Sequence, residues 1–314
     1  MLPYLDDFLL YLKSNNYSNE TIYNYERDLS LFSSFLDDYS TPFDKTTKRV
    51  VAEFKAYLIS SDRKTPIRQS GGEFHLSSRS LNRMLSSLRS FLKYLIEMDL
   101  PCPLSPSAVL MVKTEKKQSQ VAELSLLTKL IESPDYLEND RVISLRNRTI
   151  LEVLFSTGMR ISELCRLNRS DIDGSGKIYI VGKGKKQRFV YLTQRAQSFL
   201  NSYLATRHDD LQAVFVPYSG ININSNKRRL STNYIQMKIK EYREKLKINV
   251  PTSAHSLRHG FATYLAESGA NPAAIQILLG HESLDTTTRY VHASDKFAQE
   301  THQKFHPLKE RTTI

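Results

Sequence analysis

The chain has 314 residues, of which 40% are apolar and 25% charged, so it is long enough for one large domain or two ordinary ones. Its net charge of +11 favours a polyanion such as nucleic acid as partner, although solvated lysines give many proteins a similar balance. Two cysteines exclude a disulfide framework, and no apolar run or leader pattern predicts a membrane partner or export, so we expect a cytoplasmic protein.

The first hundred residues show the apolar spacing of amphipathic helices. Apolar residues recur three and four positions apart over 5–12, 22–36 and 81–95, and a further helix is expected around 47–59. The stretch 61–75 reads as a loop. The helix over 81–95 has the clearest buried stripe, formed by Leu81, Met84, Leu85, Leu88, Leu92 and Leu95.

The opposite face of that helix carries Arg79, Arg83 and Lys93, with serines between them. Cations and hydroxyls in such a row suit phosphate oxygens, and a solvated outer face is an equally valid reading of the same residues. The surrounding charge is uneven: residues 1–44 hold two basic and eight acidic side chains, whereas 45–100 hold eleven basic and five acidic. One side of this domain is therefore expected to face DNA.

A polar stretch with three prolines, residues 101–125, predicts a linker between two domains. We place a helical domain at 1–105, the linker at 106–125 and a second domain, which holds the candidate catalytic residues described below, at 126–314. Residues 1–112 contain thirteen basic and thirteen acidic side chains, so the whole positive excess lies in the second part of the chain.

The second part mixes helices with one hairpin. A helix over 145–158 is expected to stop at Gly158, and another begins directly after it. Residues 177–192 alternate apolar and polar side chains around two glycines, which predicts an antiparallel hairpin. Further helices are expected at 193–206, 231–247, 256–268, 272–279, 284–291 and 295–305. The predicted fold is mainly α with a small antiparallel β-sheet, a helical domain followed by an α+β domain.

Six residues in this part stand at structurally unusual places, beside glycines, at helix ends or one helical turn apart. Each alone is weak, since a given tyrosine among 17 is far more often a packing residue than a catalytic one. Together they suit phosphoryl transfer to a tyrosine, because fixed cations can hold the charge that develops on the phosphoryl oxygens. The six are Arg160, Lys183, His255, Arg258, His281 and Tyr290.

Four motifs carry a family resemblance. The stretches "TGMRISEL" (157–164), "VGKGKKQR" (181–188), "HSLRHGFAT" (255–263) and "LLGHESLDTTTRYVH" (278–292) resemble the signatures of tyrosine recombinases, and within them the Xer type. The resemblance covers nearly the whole chain and implies that residues 1–100 form the family's helical, SAM-like core-binding domain.

The resemblance also implies roles for the six residues. Arg160 and Arg258 match the arginines that clamp the phosphate, and Lys183 matches the general acid of the hairpin. His255 and His281 match the activating histidines, and Tyr290 matches the nucleophile. Glu163 is expected to orient Arg160 or the lysine, with an exposed helix glutamate as the alternative.

Other cations are expected to contact the DNA backbone or groove, with solvated faces as the alternative. They lie on the hairpin and around the 231–247 helix: Lys185, Lys186, Arg188, Lys227, Arg228, Arg229 and Lys238. No cofactor is expected. No metal is expected either, because the spacing of His255 and His259 lacks the glutamate and third ligand of a zinc helix. Cleavage is therefore predicted to persist in EDTA.

The expected activity is site-specific recombination of duplex DNA through a 3′-phosphotyrosyl intermediate, with an Xer-like role in resolving chromosome or plasmid dimers. The implied partners are a DNA sequence of paired half-sites, a homo- or heterotetramer on two sites, and a possible DNA translocase as activator. The last helix, 295–305, is expected to dock on a neighbouring protomer or on its own domain. Alternatives are an integrase of a mobile element or phage, a type IB topoisomerase, and a non-catalytic DNA-binding regulator.

Overall fold

A computed structural model describes residues 2–60, 76–114, 122–182, 187–220, 223 and 228–280. The chain divides into two compact units, Met1–Lys117 and Gln118–Ile314. The predicted loop at 61–75 and the predicted helices at 284–291 and 295–305 lie outside the described residues.

The first unit is helical, and hydroxyl side chains begin three of its helices. Ser18, Thr47 and Ser77 each accept a hydrogen bond from a backbone N–H in the first turn that follows, which satisfies a donor that the helix itself leaves unpaired. The helices are α1 Leu5–Ser14, α2 Asn19–Asp38, α3 Lys48–Ile59 and α4 Ser78–Glu97.

The core of the first unit confirms the apolar stripe predicted for α4. All six stripe residues are buried, and Leu85, Leu92 and Leu95 are fully so. Aromatic rings from α2 and α3 pack on the same core, with Phe32 edge-on to Phe54 at 4.8 Å between ring centroids. The described part of the following segment belongs to this unit, since Val109 is fully buried and Asn82 hydrogen-bonds both the N–H and the C=O of Val112. The linker itself stays a prediction.

The second unit consists of eight α-helices and one hairpin in its described part. The elements are α5 Leu124–Glu132, α6 Pro134–Leu137, α7 Arg141–Thr157, α8 Ile161–Arg166, β1 Lys177–Val181, β2 Gln187–Tyr191, α9 Gln194–Ala205, α10 Thr232–Lys245, α11 Ala254–Glu267 and α12 Pro272–Leu279. Its core contains apolar residues from α5, α7, α8, the hairpin, α9, α10 and α11.

The predicted hairpin is present as an antiparallel pair in which Lys177 lies opposite Tyr191 and Val181 opposite Gln187. Ile178, Ile180 and Val190 point into the core, so alternation along the strands fixes the register. The predicted fold class, mainly helical with a small antiparallel sheet, is confirmed. Among the residues that the structure describes, no helix is both long and apolar enough to cross a membrane.

Candidate active site

The turn between α7 and α8 places Arg160. Helix α7 ends at Gly158, whose φ of +60° belongs to the left-handed region that favours glycine. Arg160 then stands at the N-cap of α8. Its backbone N–H donates to Glu163 Oε2 at 2.7 Å, and its guanidinium donates to Glu163 Oε1 at 3.1 Å. The glutamate therefore holds both the backbone and the side chain of Arg160.

Arg258 joins this turn to the end of α12. The residue is 5% exposed. Its Nη1 donates to the carbonyl of Gly158 at 2.7 Å, and its Nη2 donates to the carbonyl of Leu279 at 2.6 Å. The side chain therefore fixes the end of α12 against the turn that carries Arg160.

The C-terminus of α12 is saturated with donors. A helix leaves its last four carbonyls without partners inside the helix. Here the N–H of Gly280 donates to Gln276 and Ile277, Arg188 Nε donates to Leu278 at 2.8 Å, and Arg258 donates to Leu279. Two arginines thus cap the helix end immediately before the position of His281, where the partial negative charge of the helix favours cations.

Glu163 is the buried anion that connects these groups. Its side chain is 5% exposed and accepts a bidentate pair from Arg188, with Nη1 at 3.0 Å and Nη2 at 2.8 Å. Burial favours the protonated acid, but the hydrogen bonds from Arg188 and from the Arg160 backbone outweigh it and lower the pKa of Glu163. The carboxylate is charged at neutral pH.

These contacts close into a ring. Gly158 and Arg160 are joined by the backbone, and hydrogen bonds then connect Arg160 to Glu163, Glu163 to Arg188, and Arg188 to the end of α12. Arg258 returns from that helix end to Gly158. The side chain of Arg160 keeps 39% exposure at the edge of the ring, where it can meet an anion from solvent.

His255 lies in the electrostatic field of this ring. It occupies the first turn of α11, one helical turn before Arg258. Partial desolvation of the imidazole, followed by the positive charges of His259, Arg258 and Arg160, lowers the pKa of His255. The imidazole of His255 is therefore neutral at pH 7 and can accept a proton or a hydrogen bond.

The structure thus brings together Arg160, His255 and Arg258 of the six predicted catalytic residues, and adds Glu163 to them. Their catalytic roles stay predictions. The remaining predicted residues of the site lie outside the described residues: Lys183, His281 and Tyr290 among the catalytic ones, and Lys185, Lys186 and Lys227 among the DNA contacts.

The predicted DNA contact of Arg188 stays a prediction, although the structure gives this side chain partners inside the protein. Its side chain is only 7% exposed, and its guanidinium is bonded to Glu163 and to the carbonyl of Leu278. The basic run of the hairpin suggested a phosphate contact because the sequence does not show that a buried carboxylate 25 positions earlier binds this arginine.

Four further predicted DNA contacts have partners inside the protein. Arg83 pairs with the buried Asp28, Lys93 pairs with Glu97 one helical turn on at 3.1 Å, and Arg229 donates to the carbonyl of Arg166, the last residue of α8, at 2.9 Å. Lys238 bridges two glutamates of the second unit at 2.9 and 3.0 Å. DNA contact stays a prediction for these four and for the exposed cations Arg79 and Arg228.

Sequence reasoning missed the backbone groups of the site. The carbonyls of Gly158, Leu278 and Leu279 hold the arginines in place, and the signal that could have found them is the glycine that follows each helix. In the described part of the chain no cluster of three or more His, Cys, Asp or Glu side chains could hold a metal ion. The predicted independence from metal therefore still awaits its test.

The second unit thus combines a helical fold with one hairpin and a cluster of fixed arginines beside a neutral histidine, an arrangement suited to binding an anion. A model of the phage integrase family matches residues 124–296, and a model of the phage integrase N-terminal SAM-like domain matches residues 5–98. The chain belongs to the phage integrase family, the tyrosine recombinases, as its motifs predicted.

Full-length relatives support this membership. Tyrosine recombinase XerC of Chlamydia trachomatis is 34% identical over 310 residues, with 96% of each chain covered. Tyrosine recombinase XerD of Staphylococcus epidermidis is 31% identical over 312 residues, covering 96% of this chain and 98% of the relative. The predicted enzyme class, a tyrosine-type recombinase, is confirmed at the level of the family.

Solved structures agree in fold. The XerH recombinase in its pre-cleavage complex with difH DNA is 22% identical with a TM-score of 0.68, covering 95% of this chain and 82% of that chain. A lambda integrase dimer on a COC′ core site is 17% identical with a TM-score of 0.70, covering 99% and 97%.

Proposed function

We propose that this protein is a site-specific DNA recombinase that cuts and rejoins duplex DNA through a phosphotyrosyl intermediate. The observation that supports the proposal most strongly is the closed ring that fixes Arg160 and Arg258 beside a neutral His255. Fixed guanidinium groups stabilise the charge that develops on the non-bridging oxygens of a phosphodiester under attack.

The proposed chemistry is a reversible transesterification. The phenolic oxygen of Tyr290 attacks the scissile phosphorus, and the bond from phosphorus to the 5′ oxygen of the next nucleotide breaks. Lys183 gives the departing oxygen a proton, while His255 or His281 accepts the proton of the phenol. A 5′-hydroxyl from a second duplex then reverses the step, so the intermediate conserves the energy of the bond and no nucleotide cofactor is needed.

We further propose an Xer-like role, the resolution of chromosome or plasmid dimers by a tetramer on two paired half-sites. The support is the match to XerC and XerD relatives over 96% of this chain. Recombination between two directly repeated sites on one plasmid measures this role, and a second recombinase or a translocase added to the reaction shows whether either is needed. Supercoil relaxation without any recombinant product would instead favour a topoisomerase.

The activity itself is tested by covalent trapping. A duplex nicked close to the scissile phosphate loses its short leaving strand after cleavage, so the adduct accumulates and is counted on a denaturing gel. We expect an adduct with the wild-type chain, in EDTA as well as in Mg²⁺, and none with Tyr290→Phe. The exposed Tyr136 provides the matched control, since Tyr136→Phe removes the same hydroxyl elsewhere in the unit and should not alter trapping.

Covalent trapping also distinguishes a recombinase from a non-catalytic DNA-binding regulator. A wild-type chain that binds the duplex yet forms no adduct would leave DNA binding without catalysis and would contradict the proposal. An adduct that persists in Tyr290→Phe would assign the nucleophile to another residue.

A further inference from the structure

Arg188 is buried, and its guanidinium is bonded on all three nitrogens to groups of the protein. It is the second residue of β2, and its side chain is 7% exposed. Three of its nitrogens donate to protein oxygens at 2.8–3.0 Å, two to the carboxylate of Glu163 and one to the carbonyl of Leu278. A planar guanidinium held at both edges has one orientation, so this side chain acts as a rigid brace.

The partners of Arg188 connect it to separate parts of the proposed site. Glu163 holds Arg160 by two hydrogen bonds, and Leu278 lies in the last turn of α12, which ends at Leu279. Arg188 itself lies on the strand that follows the position of Lys183. One buried side chain therefore connects three described elements, namely β2, on which it lies, α8 through Glu163, and the end of α12 through Leu278.

Gly280 has little room for a side chain because of this arginine. A Cβ at Gly280 would lie 3.0 Å from Arg188 Cδ and 3.2 Å from its Nη1. The end of α12 is thus packed against Arg188 as well as bonded to it.

We propose that Arg188 is a positioning residue for strand cleavage, which holds the end of α12 against α8, the helix that Arg160 caps; in the sequence, His281 and Tyr290 follow this helix end. It acts through protein groups and does not contact DNA. This inference rests on the proposed recombinase activity for its kinetic part, while its structural part is testable on the protein alone.

The kinetic test compares Arg188→Met and Arg188→Lys with the wild type in single-turnover formation of the covalent adduct, at saturating DNA. A displacement of about 1 Å in a reacting group costs on the order of a hundredfold, so we expect a loss of about that size for Arg188→Met. Lysine keeps the positive charge but cannot make the paired hydrogen bonds of the guanidinium. A smaller loss of rate is therefore expected for Arg188→Lys than for Arg188→Met. Arg195→Met is the matched control, because Arg195 is also paired with buried and half-buried glutamates, Glu152 and Glu132, away from the ring; it should cleave like the wild type.

DNA affinity separates positioning from phosphate contact. We expect the Kd and its salt dependence to be the same for Arg188→Met and the wild type. A phosphate contact would instead weaken binding and reduce the slope of log K against log salt by about one. Weaker binding of Arg188→Met, together with an unchanged cleavage rate in the bound complex, would overturn the proposal.

A substrate with sulfur in place of the bridging 5′ oxygen shows which part of the site Arg188 positions. A thiol has a pKa near 8.5 and leaves as the thiolate, so this substrate does not require the general acid. We expect the loss in Arg188→Met to persist on it, because the defect lies at the end of α12. Full recovery of the rate would place the effect on Lys183 instead and would overturn the assignment.

Hydrogen exchange tests the structural part without DNA. The N–H of Gly280 donates to Gln276 and Ile277, and we expect the amides of the last turn of α12 to lose protection about tenfold or more in Arg188→Met but not in Arg195→Met. Unchanged protection there would refute the inference even if the wild type is fully active. Loss of protection in a chain that never forms an adduct would sustain the brace and reject only the proposed activity.

Discussion

Gly158 is the point where strain and steric contact can be separated by mutation. Its φ of +60° costs an alanine about 1–2 kcal/mol, because the left-handed region crowds a Cβ against the backbone. The new Cβ would also lie 2.4 Å from Cδ1 of Phe261, and an overpacked contact of this kind costs about 1–3 kcal/mol more. We therefore expect Gly158→Ala to lower the free energy of unfolding by roughly 2–5 kcal/mol.

Two other glycines of the same unit isolate each contribution. Gly269 has a φ of +83° with nothing within 4 Å of a Cβ, so Gly269→Ala should cost only the conformational part, about 1–2 kcal/mol. Gly174 has open space and no left-handed φ, so Gly174→Ala should stay within about 0.5 kcal/mol of the wild type. Thermal melting by circular dichroism measures all three, at roughly 2–4 °C per kcal/mol for a unit of this size.

The contact with the phenyl ring of Phe261 is tested by removing that side chain. In a Phe261→Ala background the clash disappears, so Gly158→Ala should cost no more there than Gly269→Ala does. The reasoning fails if Gly158→Ala and Gly269→Ala lower the melting temperature equally in the wild-type background. Because the carbonyl of Gly158 accepts from Arg258, loss of covalent trapping should accompany the loss of stability.

Three further predictions concern a buried carboxylate, a buried thiol and a histidine with a lowered pKa. Asp28 has no exposed side-chain area, and without Arg83 its carboxylate would keep only the Ser87 hydroxyl and, at 3.7 Å, Arg27. Arg83→Met should therefore cost up to about 3–5 kcal/mol in urea unfolding, whereas Asp28→Asn frees a partly exposed arginine and should cost less; equal costs would contradict this. Burial raises the pKa of Cys165 to about 11, so its thiol should react with iodoacetamide at pH 7 far more slowly in the folded chain than in urea, as counted by mass spectrometry. The pKa of His255 is lowered by desolvation and by neighbouring positive charges, so the unfolded chain takes up its proton first as pH falls below about 6.5. Stability should therefore fall between pH 7 and 5, less steeply in His255→Gln, and identical pH profiles for the two chains would count against this.

Local patterns predicted the elements well where one face of each element is buried. The spacing of leucines in α4 and the alternation of Ile178 and Ile180 specify which side chains enter the core, and both were confirmed. No helix was predicted at α5, Leu124–Glu132. Five of its nine residues are leucine or isoleucine, but its start was counted with the polar stretch 101–125, which the prolines at its beginning had marked as a linker.

The candidate site was predictable in its residue types but not in its internal pairing. Arg160, His255 and Arg258 were singled out by motif and by position, and the structure brings them together. Arg188 was assigned to DNA because a basic run without acids favours solvent or phosphate when only neighbours in sequence are considered. Its partner Glu163 lies on another element, and long-range pairing of this kind is set by tertiary packing.

The pairing of Arg188 with Glu163 also resolves an electrostatic difficulty of such a site. Arg160, Arg188 and Arg258 lie within one ring, and three guanidinium charges so close would repel one another in a poorly hydrated environment. The carboxylate of Glu163 and the carbonyls at the end of α12 offset this repulsion from within the protein. Three cations against one anion leave the ring with an excess of two positive charges. Since a phosphodiester under attack gains negative charge on its oxygens, that excess would stabilise the transition state more than the ground state, which is the condition for catalysis.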